Sequence, residues 1–171
     1  ELKIDNLLEF EVTGELKGQG ADLHVIGHDL DIIKSLALIP QESRTSLDAY
    51  SSSGTLSFEF NLEGAFGRTT NPSFQANFSV HNASISKEGT NWKLSNLTGS
   101  GSIDNGSKRN FATSSVSVSD LNGQLNGDAF TTSFTYRNFT QPALSGDINL
   151  RTDIGATKEF FGIEWIEQGS G

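Results

Sequence analysis

The side chains with the most direct claim to chemistry are His24 and His28. A spacing of four puts both imidazoles on one side of a helix, an arrangement common in metal sites. Here they sit in "DLHVIGHDL", which reads as a strand followed by a loop, and His81 is remote. A strand would still keep the pair on one face, yet no cysteine or acidic cluster completes a ligand set. They read as surface histidines. Glycoside hydrolysis needs two carboxyl groups about 5–10 Å apart, and Glu9 with Glu11, or Asp29 with Asp31, offers such pairs. In a chain of net charge −9 these pairs arise readily on solvated strand faces and as helix caps. "GSGS" at 99–102 is out of frame for a Gly-x-Ser-x-Gly nucleophile elbow. "GELKGQG" at 14–20 holds glycines for a loose phosphate grip, but no helix follows it. The residues therefore point to no enzyme, no metal and no cofactor.

What remains is apolar surface. The chain has 171 residues, enough for one domain with a core, and a single β-rich domain over 1–171 is expected. Its hydrophobic fraction is only 35%, with Gly, Ser, Thr and Asn making up the difference, a mixture that suits strands and turns. The 12 Phe outnumber the two Trp and two Tyr together by three to one. Phe has no polar tip, so such a surface is suited to staying dry or to holding something apolar. The negative charge repels phosphate backbones, which argues against nucleic acid as a partner. It also disfavours anionic membrane surfaces. No apolar run approaches the length of a membrane span. Without cysteine, no disulfide can report the compartment. Five Asn-x-Ser/Thr sequons, at Asn77, Asn82, Asn96, Asn105 and Asn138, fit the general abundance of Asn and Ser.

Those apolar residues must be positioned by strands. "LSFEFNLEG" sets Leu56, Phe58, Phe60 and Leu62 against Ser57, Glu59 and Asn61, the period-two pattern of a half-buried antiparallel strand. The "RTTNP" turn then reverses the chain into Phe74, Ala76, Phe78 and Val80. The layout returns later, where Phe130, Phe134 and Tyr136 precede "TQP", and Leu144, Gly146, Ile148 and Leu150 follow. Pro72 and Pro142, which lead the two second strands, are 70 residues apart. "LSNLTG" at 94–99 recurs as "VSDLNG" at 118–123, each reading as a strand that ends in a Gly turn. "IDNG" at 103–106 is a further hairpin signal, and Gly14 and Gly64 within strand patterns suggest a bulge or bend. Two short helices are expected. One is "DLDIIKSLALIP", with Asp29 or Asp31 as cap, Ile32, Ile33, Leu36 and Ile39 on one face, and Pro40 as stop. The other is "DIGATKEFFG", opening at Asp153. Together the echoes read as about one period of a longer, strand-rich repeating protein.

In order and spacing, several runs resemble the AsmA-like bacterial envelope proteins: "DLDIIKSLALIP", "GTLSFEFNLEGAFG", "NPSFQANFSVHNASI", "LSNLTGSGSIDNG" and "DLNGQLNGDAFTTSFTYRNFTQPALSGDINL". The resemblance covers about residues 20–155. It implies a periplasmic position in the bacterial cell envelope, with a membrane anchor outside this segment. The family is similar to TamB-type and bridge-like lipid-transfer proteins, whose sheets curl into a groove with an apolar floor. No catalytic residues come with it. One period makes a short groove.

The expected fold is all-β, mainly antiparallel, a curved sheet or groove-like open β-sandwich with two short helices. The expected function is binding and guiding phospholipid or fatty acyl chains. The wall would be Leu56, Phe58, Phe60, Leu62, Phe74, Phe78, Val80, Phe134, Leu144 and Ile148. Repetition of a one-sided strand extends a surface, which a compact core does not need. The competing expectation is a structural or adhesive module whose strands close into two sheets over a sealed core.

Overall fold

The structure, a computed structural model, describes residues 2–4, 8–36 and 49–150. The strands are β1 (Leu2–Ile4), β2 (Leu8–Lys17), β3 (Gly20–Asp31), β4 (Tyr50–Ala65), β5 (Ser73–Lys87), β6 (Lys93–Asp104), β7 (Ser115–Leu125), β8 (Asp128–Arg137) and β9 (Ala143–Leu150). A five-residue helix, α1 (Ile32–Leu36), follows β3. All nine strands form one antiparallel sheet in chain order, so each pairs with its sequence neighbours. Two sheets closed face to face, the competing expectation, are not what the described residues build. The all-β, antiparallel reading holds.

Period two then sorts the side chains. One row runs straight across eight strands through Phe10, Gly27, Phe58, Phe78, Gly101, Val118, Phe134 and Gly146. The row beside it on the same face holds Val12, Val25, Phe60, Ala76, Ile103, Val116, Tyr136 and Leu144. Between them, on the opposite face, stand Glu11, Ile26, Glu59, Asn77, Ser102, Ser117, Thr135 and Ser145. The sheet is thus apolar on one side and polar on the other. Two glycines in the first row make room for their neighbours' rings. A Cβ on Gly27 would lie 2.8 Å from the Phe58 ring, and one on Gly101 would lie 2.5 Å from the Phe78 ring.

The strands do not keep one phase along their length. The pairing register slips in β3 between Gly27 and Leu30 and in β5 between Val80 and Ala83, opposite Gly54 of β4. It slips again between Ser95 and Thr98 of β6 and between Val118 and Leu121 of β7. The four bulges share one local pattern: Gly27-His28-Asp29-Leu30, Val80-His81-Asn82-Ala83, Leu94-Ser95-Asn96-Leu97 and Val118-Ser119-Asp120-Leu121. The third residue is left-handed in each, with φ of 48° at Asp29, 47° at Asn82, 53° at Asn96 and 51° at Asp120. Asp and Asn are the non-glycine residues that tolerate this region. The extra residue returns the next apolar side chain to the same face, so the apolar spacing becomes three in place of two. A bulge leaves the amide of its extra residue without a ladder partner. Hydroxyls of adjacent strands satisfy it: the Asp29 amide donates to Ser57 Oγ at 2.9 Å, and the Asp120 amide to Ser133 Oγ at 3.0 Å. Bulges bend a strand and raise its twist, and the four in β3, β5, β6 and β7 bend the sheet along one line.

Some expectations change here and others are narrowed. "LSNLTG" and "VSDLNG" are not strand ends; β6 and β7 run through both, because the Asn96 and Asp120 bulges absorb the irregularity. Gly14, with φ 116°, pairs with Leu23 with no slip in register, so of the two alternatives the bulge is excluded. In α1, Asp31 is the cap, accepting from the Lys34 amide at 3.1 Å, while Asp29 belongs to the bulge. Ile32 packs inward but Ile33 is exposed, because a helix of five residues turns only one side to the sheet. Pro40, Ile39 and the helix expected from Asp153 lie outside the described residues.

Candidate functional site

Apart from Ala21, the buried apolar residues of this face gather in two small clusters. Phe10 and Leu30 form one, with Val25 and Phe58 against them. Ala83, Leu97, Leu125 and Phe130 form the other, drawn from β5 to β8, with Ile32, Val80, Leu94, Leu121 and Leu150 packed on it. Leu30, Ala83 and Leu97 are the residues that directly follow a left-handed bulge position. The bulge line is therefore also where the face packs most tightly.

Beside the larger cluster the face dips into a groove of about 500 Å³. Leu94 of β6, Leu121 and Leu125 of β7, Phe130 and Phe134 of β8, and Leu144, Ile148 and Leu150 of β9 line it. Its one hydroxyl, on Thr132, donates to the Asp147 carbonyl at 2.8 Å and so makes no demand on an occupant. The volume falls within the roughly 300–1,000 Å³ typical of small-molecule sites. Leu144 is 69% exposed and Ile148 57%, so the β9 side of the groove is open.

All ten wall residues expected from sequence stand on this one face. Phe134, Leu144 and Ile148 line the groove. Leu56, Phe58, Phe60, Leu62, Phe74, Phe78 and Val80 lie along β4 and β5, outside the groove lining, with Phe60 stacked on Phe74 at 6.4 Å between centroids. None of the ten is buried. The buried positions are others: Ala83, Leu97 and Leu125 were not legible as wall residues. Strict alternation carried past Val80 puts Ala83 on the wrong face. The recurring pair of His or Ser with Asp or Asn, set between apolar residues, is the signal that corrects the phase.

The polar face carries the groups with apparent chemistry. His24 Nδ1 lies 2.7 Å from Asn61 Oδ1, and its Nε2 lies 3.8 Å from Glu59 Oε1. Among the described residues no three His, Asp or Glu side chains converge as a metal site. Of the sequons, Asn105 is buried, and its side chain joins the β6–β7 connection to the β4–β5 connection through Pro72 O at 2.8 Å and the Phe74 amide at 3.1 Å.

No family model, no curated protein and no solved structure matches the chain.

Proposed function

We propose that this chain is a lipid-binding segment of an AsmA-like cell-envelope protein, holding phospholipid or fatty acyl chains on the apolar face of a curled sheet. The observation that supports it most is the groove between β6 and β9, whose lining offers hydrocarbon and almost nothing that hydrogen-bonds. A one-sided sheet ordinarily buries its apolar face under a second layer. Here, among the described residues, α1 and single loop side chains such as Trp92 and Phe139 approach that face but no second layer covers it, and an uncovered apolar surface marks an interaction site.

Each methylene moved out of water contributes about 0.8 kcal/mol. About ten of them give roughly 8 kcal/mol, a micromolar affinity before ordering costs are deducted. An acyl chain needs no hydrogen bonds, so the groove discriminates little between chains, which suits a carrier that must also release its load. The line of bulges curls the sheet toward its apolar side in this reading, and the echo between β5 and β9 continues one wall along the chain.

Uptake of a fluorescent fatty acid from solution tests the proposal. Ile148→Asp alters an exposed groove residue and leaves the buried cluster untouched, so the variant should fold normally and lose uptake. Equal uptake by the wild type and by both Ile148→Asp and Phe134→Asp would exclude this groove as the site.

A further inference from the structure

The apolar face ends differently at its two limits. Along the strands it holds no charged residue among the described positions until its last row beyond the bulges, where Lys87 and Asp128 stand at the ends of β5 and β8. Tyr50 pairs in register with Lys87, and the Lys87 ammonium lies 5.7 Å from the Tyr50 ring centroid. The Trp92 ring is 6.0 Å from that of Tyr50, tilted against it. Trp92 also packs on the buried cluster formed by Ala83, Leu97, Leu125 and Phe130. The cluster shares Leu125 and Phe130 with the groove. An amphipathic aromatic pair with a lysine therefore stands where the groove's apolar floor meets water.

We propose that this end of the sheet docks on the surface of a phospholipid bilayer, and that it is the mouth through which an acyl chain passes between bilayer and groove. Trp and Tyr favour the bilayer–water boundary because their rings are apolar and one edge is polar. A lysine beside them sets its stem along the aromatic ring and its ammonium at the level of the phosphates. Lys93, at the start of β6 in the same hairpin, pairs with Ser86 and adds a second positive charge at this end from the polar face. Glu88 and Asp128 stand at this end too, and the chain's overall charge repels anionic surfaces, so the contact is with zwitterionic phospholipid. The proposal shares its lipid chemistry with the acyl-binding reading but is read out separately.

The test uses the whole chain with Trp165→Phe, which leaves Trp92 as the sole tryptophan, and phosphatidylcholine vesicles whose acyl chains are brominated. Quenching of Trp92 emission, weakened severalfold in both Tyr50→Ser and Lys87→Gln, is the expected result. Unquenched Trp92, or quenching indifferent to both substitutions, overturns the proposal. Fatty-acid uptake measured without vesicles reports on the groove alone. A protein that takes up fatty acid but leaves Trp92 unquenched retains the groove and loses the mouth. One that shows the expected quenching without uptake retains the mouth and loses the groove.

Discussion

Single residues decide how this sheet is shaped. At Asp120 the backbone is left-handed, φ 51°, and the side chain is exposed, so the residue is there for its conformation. Asp120→Val should cost about 1–2 kcal/mol, the penalty an ordinary L-residue meets in that region. Asp120→Gly, which meets none, should stay within about 0.5 kcal/mol of the parent. Equilibrium denaturation measures both, and equal losses would mean that the Asp side chain matters more than the backbone. Glycine at 101 does a different job, leaving space for the Phe78 ring. Gly101→Ala forces the ring or the strand aside and should cost about 1–3 kcal/mol. Gly20 has ordinary backbone angles and its added Cβ would meet nothing closer than 3.4 Å, so Gly20→Ala should change stability by about 0.5 kcal/mol or less. A reversed order in the same denaturation series would show that ring seating does not govern the row.

At the scale of the strand, what matters is which apolar residues are core and which are wall. Leu97 is buried against Ala83, Leu125 and Phe130, whereas Ile148 sits on the open β9 side of the groove. Leu97→Ala should cost about 2–5 kcal/mol. Ile148→Ala should cost about 0.5 kcal/mol or less. Comparable losses in urea melts would place Ile148 in the core and close the groove. This division was only half legible in the sequence. The period-two runs of β4, β5 and β9 read directly, as did the two hairpins built around Pro72 and Pro142, since alternation and turn chemistry are local. The bulges were not, because each adds one residue and reverses the phase, so apolar residues at a spacing of three look like noise or a turn. "LSNLTG" and "VSDLNG" were visible as a repeat but misread as strands that end in a Gly turn, for the same reason. The groove itself depends on how the sheet bends in space, which no window of sequence contains.

At the scale of the molecule, a single layer of nine strands presents one polar and one apolar side. The polar side is rich in Glu, Ser and Thr. The apolar side is too exposed to be a finished core, since the ten wall residues are all at least partly accessible. The central claim is that acyl chains cover it. Native mass spectrometry of protein purified from bacteria without detergent, with the bound lipid extracted and identified, tests that claim most directly. The account predicts a population carrying the mass of a phospholipid or fatty acid, retained by Gly20→Ala and absent from Ile148→Asp. A bare chain mass in the wild type, together with no uptake of added lipid, would contradict it.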